Sequence, residues 1–593
     1  MNPLGEYQTR LTARRAVSER DEKLFRRVGN ARLLTGLAGL ILAFFVFGET
    51  VVSAWWLVAP AALFAVLVVL HARIVERLEQ AKRAVTFYER GLARLENQWI
   101  GRGEPGERFR NSAHVYAEDL DLFGKGSLFE LLCTARTRAG EDALAQWLLA
   151  PASAEEVVAR HQAVRELSPR LDLREDLAVL GDVVRAGMDP EAAARWGQAP
   201  PVHFPAGARI LAPLLASAVV VTFGLYMGRL STRTPFMIAL LVELAYGFFL
   251  GSRTLRVTSA VDAPARDLGL LTKLLARIER EPLEAPLLRR MQASLAAGSL
   301  VASSEIARLR RLVDRMDWQR NIVFAPIAIA LLWSAQIAIA IERWRKRAGP
   351  HIGTWIAAAG EFEALLALAG YSYEHPSDPF PELADVAGGL FECQGIAHPL
   401  MPEAQAVRNN IELGDGQRLL IVSGSNMSGK STLLRAIGLN TVLAWAGAPV
   451  RATRLRISPL RLGASIRVLD SLQDGRSRFY AEITRLREIV DLTQSGAVLF
   501  LIDELLSGTN SHDRKIGAGA ILRTLVDRGA LGLVTTHDLA LTAIAADLSP
   551  RATNVHFEDL LADGKLHFDY RLRQGVVERS NALDLMRSVG LEV

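Results

Sequence analysis

Gly424-Ser425-Asn426-Met427-Ser428-Gly429-Lys430-Ser431-Thr432 is the stretch on which the fold turns. It follows the apolar run Leu419-Leu420-Ile421-Val422 and precedes the helix-like run Leu433-Leu434-Arg435-Ala436-Ile437. Strand, glycine-bounded loop, Lys-Ser and helix in that order make a P-loop. The glycines let backbone N–H groups turn inward around an anion, and the following helix adds the positive end of its dipole. Lys430 can reach the β- and γ-phosphates of ATP, and Ser431 can hold Mg²⁺.

Working outward, the next informative run is Ala497-Val498-Leu499-Phe500-Leu501-Ile502-Asp503-Glu504. A buried-strand run ending in Asp-Glu is the Walker B pattern: Asp503 would hold Mg²⁺ and Glu504 would polarise the attacking water. Alone it is weak; downstream of a P-loop it is strong. One strand later Leu533-Val534-Thr535-Thr536-His537 places His537 as a sensor of the γ-phosphate. Between them, Asp474-Gly475-Arg476-Ser477-Arg478 reads as a turn followed by a helix, with Ser477 as its cap.

At 593 residues the chain holds several domains. Half of it is hydrophobic, high for a soluble nucleotide-binding protein, so that excess needs a location. The net charge of +5 fits an anionic partner, nucleic acid or lipid surface, without choosing between them. Two cysteines, Cys133 and Cys393, suggest neither a disulfide framework nor a thiolate metal site.

The hydrophobic excess lies upstream of the P-loop. After an arginine-rich leader, residues 1–32, come two charge-free runs, Leu33–Phe47 and Val51–Leu70, joined by Gly48-Glu49-Thr50. Flanking Arg and Lys on both outer sides make residues 33–71 a transmembrane hairpin with cytoplasmic ends. Residues 101–112 read as a linker by composition, within a helical region spanning 72–205. A second hairpin is expected over 206–252, from Ile210–Met227 and Pro235–Leu250, with Glu243 inside the membrane run as a functional candidate. A fifth apolar run, Ile322–Ile341, is expected to be a packed or interfacial helix, because an even number of spans keeps the P-loop with cytoplasmic ATP. It falls within a helical connector, 253–389, that leads into the nucleotide-binding domain, 390–593. The fold class expected is an ABC-type α/β P-loop domain preceded by an all-α lever region with transmembrane helical hairpins.

Together these pieces resemble the MutS family of ABC-type ATPases. The resemblance is carried by Gly-Ile-Ala-His-Pro-Leu (395–400), the Asn-Met within the P-loop, Ala-Pro-Val-Arg-Ala (448–452), the run 474–483, Asp-Glu-Leu-Leu-Ser-Gly-Thr-Asn-Ser (503–511), Thr-Thr-His (535–537) and Ser580–Met586. Upstream, Ser127–Leu132, Gly140, Trp147–Pro151 and Glu155–Val164 look like the start of the family's helical core. The resemblance implies a Mg²⁺-dependent ATPase that works as a head-to-tail homodimer. Gly424 to Thr432 would hold the nucleotide, and Ser477 would reach across to the partner's γ-phosphate. It also implies DNA as a partner by kinship.

Departures are equally plain. The leader and first hairpin stand where mismatch-repairing members carry a Phe-x-Glu wedge domain. Phe87-Tyr88-Glu89 has that spelling by chance. Leu506-Ser507 replaces Gly-Arg after Walker B, and Arg478 replaces a Thr. The expectation is a membrane-anchored MutS-like ATPase, in a bacterial inner membrane with its ATPase domain in the cytoplasm, driving lever helices. Competing readings are half of an ABC-type transporter and a nucleotide-gated membrane scaffold. Against the transporter, Leu506-Ser507-Gly508 follows Walker B where a transporter signature would precede it.

Overall fold

The structure is a computed structural model that describes residues 2–48, 52–185, 189–298, 300–322, 324–386, 388–425, 428–467, 478–506, 509–562 and 565–577. Contacts divide the chain into two units. One comprises residues 1–134, 145–179 and 367–593; the other comprises 135–144 and 180–366.

The first unit begins with a long antiparallel helix pair, α1 (Pro3–Phe47) and α2 (Val58–Leu95). Leader and first apolar run are one continuous helix, opened by Asn2, whose side chain caps the Gly5 N–H. The polar ends are bolted together. Tyr7 is 1% exposed and donates to Glu374 Oε1 at 3.1 Å, while Arg94 pairs with both oxygens of Glu374 at 2.6 and 2.7 Å. Tyr88 donates to Glu175 Oε2 at 2.6 Å, and Arg14 reaches Glu175 Oε1 at 2.7 Å. Phe87 and Tyr88 are thus core residues, which removes them from any contact with DNA. From Tyr7 to Leu33, α1 rises roughly 39 Å, at about 1.5 Å per residue. Burial pushes the Glu374 carboxyl up, but Arg94 overrides it, leaving its pKa below the ordinary value. Arg94→Ala leaves that carboxylate buried and underpaired, a loss of about 3–5 kcal/mol. A lowered unfolding temperature in detergent, partly restored by adding Glu374→Gln, is the expected result.

Composition makes residues 101–112 a linker, but the structure folds their start over a buried carboxylate. Glu130 accepts from the N–H groups of Gly101, Gly103 and Gly126 at 2.6, 3.2 and 2.7 Å. Glycine-rich sequence here serves a close backbone approach.

The second unit is helical. Its helices α3 (Ala208–Met227) and α4 (Arg233–Arg280) form a hairpin, and α4 also packs against α5 (Ala302–Asp317) and α6 (Trp333–Ala348). The run Ile322–Ile341 is not one helix: a short helix, Ala325–Ile329, opens with Pro326 at its start, and Leu332 at φ 46° breaks the chain before α6.

Five helical stretches among the described residues are long and apolar enough to cross a membrane. In α1, the stretch Ala54–Leu95, α3 and α4, only 6%, 0%, 17% and 11% of the apolar window is buried. In Trp333–Glu374 the share is 78%. The fifth stretch is therefore occupied by protein, and the first four are not.

The remainder of the first unit is built on a six-stranded sheet. Its strands are β1 (Leu419–Ser423), β2 (Arg461–Ser465), β3 (Val498–Ile502), β4 (Leu531–Thr536), β5 (Ala552–Ala562) and β6 (Lys565–Gln574). They lie in the order β6-β5-β1-β4-β3-β2, all parallel except the edge strand β6. Every residue of β1, β3 and β4 is buried, because helices cover both faces; that is why each reads as an unbroken apolar run. On one face lie α8 (Arg478–Leu492) and α9 (Ser511–Asp527), packed around Leu486, Ile489, Leu522 and Phe500. The other face meets α7 (Lys430–Ala446), whose Gly438 lies against Leu501 and Leu120. A smaller four-stranded sheet carries residues 391–396 and 409–413 beside it.

Candidate functional site

Register sets the site. Ser423 ends β1 beside Thr536 of β4, and Ile502 ends β3 beside Val534 of β4. The P-loop, Asp503-Glu504 and His537 therefore leave the sheet together at its carboxyl end, where open α/β sheets bind ligands. The loop turns on Gly424 at φ 154° and Gly429 at φ 100°; a side chain on Gly424 would press on Ser428 Oγ at 2.9 Å. Gly429 then starts α7, whose first residue is Lys430. Lys430 Nζ donates to the Gly424 and Ser425 carbonyls at 2.9 and 2.6 Å, and Ser428 Oγ to the Ser425 carbonyl at 2.8 Å.

Ser431 Oγ donates to Asp503 Oδ2 at 2.5 Å. The other oxygen of Asp503 accepts from Thr535 Oγ1, which in turn accepts from the Glu504 N–H at 3.0 Å. Glu504 sits at φ 51°, a left-handed conformation uncommon for a residue with a side chain. Such strain gathers at functional positions. His537 Nδ1 lies 3.4 Å from Glu504 Oε1. Sequence reading singled out Lys430, Ser431, Asp503, Glu504 and His537, and the structure brings all five together. Thr535, which ties Asp503 to Glu504, was given no role by sequence because a threonine in an apolar strand carries no signal of its own. Asn426, Met427 and Ser477 lie outside the described residues, as do Ser507 and the closing run 580–586.

Beside Lys430 and Glu504 opens a cavity of about 670 Å³. Gly429, Ser431 and Thr432 line its inner end. Ile396, His398, Met401, Val407, Phe557 and Tyr570 line the rest. Asn409 braces Tyr570 by donating to its carbonyl at 3.0 Å. Burial, reinforced by Arg435, pulls the His398 imidazole down to about 4, so it is neutral across ordinary pH. His398 lies in a motif legible in sequence; Tyr570, on the sheet edge, has no sequence signal. As for a cation, Ser431 Oγ and Asp503 Oδ2 are the hard oxygen donors Mg²⁺ prefers. Among the described residues no cluster of three His, Cys, Asp or Glu forms a metal cage. One hydroxyl and one carboxylate suit an ion that keeps its waters and takes phosphate oxygens.

A P-loop on a mostly parallel sheet, with an acidic pair and a histidine on neighbouring strands, defines a nucleotide-binding domain of the P-loop ATPase type. Residues 420–592 match the family described as MutS domain V. The chain is 36% identical over 212 residues to endonuclease MutS2 of Thermus thermophilus, covering 34% of this chain and 27% of that protein. It is 31% identical over 299 residues to DNA mismatch repair protein MutS of Natronomonas pharaonis, covering 48% of this chain and 31% of that one. DNA mismatch repair protein MutS 2 of Halobacterium salinarum is 32% identical over 243 residues, with 40% and 27% covered. The chain matches that family through its C-terminal domain. It spans only 27–31% of the length of these curated relatives.

Proposed function

We propose that this protein is a membrane-anchored, Mg²⁺-dependent ATPase of the MutS type. The observation that carries the ATPase reading is the convergence of Lys430, Ser431, Asp503, Glu504 and His537, of which Lys430, Ser431 and Glu504 line one cavity. ATP would lie with its base against the apolar wall of Ile396, Met401, Val407 and Tyr570, with His398 neutral beside it. Its phosphates would take the place of the Gly424 and Ser425 carbonyls as partners of Lys430, and the loop N–H groups would hold them. Ser431 and Asp503 would hold Mg²⁺, which supplies charge neutralisation to the phosphates when bound. Glu504 accepts a hydrogen bond from the attacking water, and His537 beside it reports the γ-phosphate. Kinship supports a homodimer joined through these domains, in which Ser477 of the partner subunit completes the site.

Thr535 fixes the Asp503 carboxylate and the Glu504 backbone N–H. Thr535→Val removes the donor to Asp503 and the acceptor for the Glu504 N–H, and orienting groups of this kind are worth about 10- to 100-fold. Hydrolysis should fall by about that factor in steady-state phosphate release, with ATP affinity changing less.

The membrane reading rests on the two helix hairpins whose apolar windows lie bare. Faces of this size are not left to water in a soluble protein. Tyr7 and Arg94 both reach Glu374, so both ends of the first hairpin lie on one side, the cytoplasmic side by its arginines. Flotation of the full chain with lipid vesicles, resistant to high salt and alkaline wash, is the expected result. Its recovery as a detergent-free soluble protein would overturn the reading. A transporter half is disfavoured, since similarity runs to MutS proteins. DNA is the partner that the relatives' names bring to this chain. Duplex binding that falls steeply with salt supports it; none at low salt removes DNA and leaves the ATPase reading standing.

A further inference from the structure

A second cavity, about 280 Å³, lies wholly within the helical unit, between the start of α3, the middle of α5 and α6. Four arginines line it: Arg209, Arg308, Arg343 and Arg347. Arg347 is held by Glu305 at 2.5 Å, and the buried Trp344 donates to the Glu305 carbonyl at 2.9 Å, which fixes the cavity floor. Among the described residues Arg209, Arg308 and Arg343 have no carboxylate partner. Three unpaired guanidinium groups around one concavity repel one another unless an anion sits among them. Bidentate guanidinium geometry matches phosphate oxygens.

The position of the cavity says which phosphate. Arg209 is the second residue of α3, and Ile210 directly after it is 65% exposed, the first residue of the bare apolar face that continues through Leu214. Ala212 and Pro213 of that same helix line the cavity wall. A ligand whose phosphate met the arginines would have its remainder pointing along bare α3. We infer that the cavity binds the phosphate headgroup of an anionic phospholipid, its acyl chains lying on α3 from Ile210 onward. This inference rests on the membrane reading of α3 and α4. Basic recesses at the cytoplasmic ends of membrane helices suit that chemistry.

The test is native mass spectrometry of the full chain in detergent, titrated with phosphatidylglycerol or with phosphatidylcholine. Wild type should hold phosphatidylglycerol in preference to phosphatidylcholine. Arg209→Gln/Arg343→Gln, at two exposed positions, should weaken that binding by roughly tenfold or more. Arg311→Gln/Arg315→Gln, with the same change in net charge on exposed α5 positions outside the cavity, should leave it unchanged. Equal losses in both pairs, or none in the first, would overturn the inference. Displacement of the lipid by inorganic phosphate would also overturn it, assigning the arginines to a free anion. Flotation with phosphatidylcholine vesicles separates the two claims. If neither wild type nor variant floats, the membrane reading itself fails; if both float with no cavity effect, only the lipid site fails.

Discussion

Glu504→Gln is expected to keep ATP and lose hydrolysis by about a hundredfold or more, the scale on which positioned polar groups act in such reactions. The amide has the shape of the carboxylate and leaves Lys430, Ser431 and Asp503 untouched, so the phosphates keep their partners. What it loses is the negative charge that draws a proton from water. The backbone around it is over-determined: the N–H is fixed on Thr535 Oγ1 at 3.0 Å and φ is held at 51°. A substituted side chain at this position should stay where the carboxylate was. Single-turnover phosphate release beside equilibrium binding of a fluorescent ATP analogue separates the two effects. Unchanged release would remove Glu504 as the group that activates water.

Lys430→Ala is the second large effect, and it falls on binding. A charge-assisted hydrogen bond to phosphate contributes about 1.5–3 kcal/mol net, so affinity should drop roughly ten- to a hundredfold. Hydrolysis should become undetectable at ordinary ATP concentrations. The fold should survive, because the Gly424 and Ser425 carbonyls that Lys430 bonds can be served by water. Lys430→Arg should rescue little, since a planar fork does not replace a compact ammonium in a closed loop. Wild-type affinity in the alanine variant would mean that the nucleotide sits elsewhere.

The nucleotide domain was the most legible part of the sequence, for a physical cause. Strands β1, β3 and β4 are covered on both faces, so they appear as uninterrupted apolar runs, and their polar ends fall at one edge of the sheet. Lys430, Asp503 and His537 announce themselves by what precedes them. The cavity wall did not. Residues 396–407 and Phe557 and Tyr570 come from separate sheets and meet only in three dimensions, so no spacing rule links them. Composition also misled at 101–112, where glycines that look like a linker pack backbone against the Glu130 carboxylate. The fifth apolar run was sorted from the others by parity, and the structure gives a different ground: it is broken at Leu332 and its continuation is packed within protein. Domain boundaries drawn from composition missed that residues 135–144 join 180–366, a pairing made through Glu363, which accepts from the N–H groups of Arg136 and Thr137 at 3.1 and 3.3 Å.

The most direct measurement is Mg²⁺-dependent phosphate release by the full chain reconstituted in vesicles, run side by side for wild type, Lys430→Ala and Glu504→Gln. The structure predicts turnover in the wild type, none in either variant, and retained nucleotide in Glu504→Gln alone. Release that persists in both variants, or that proceeds without Mg²⁺, would contradict the assignment of this site as the engine of the protein.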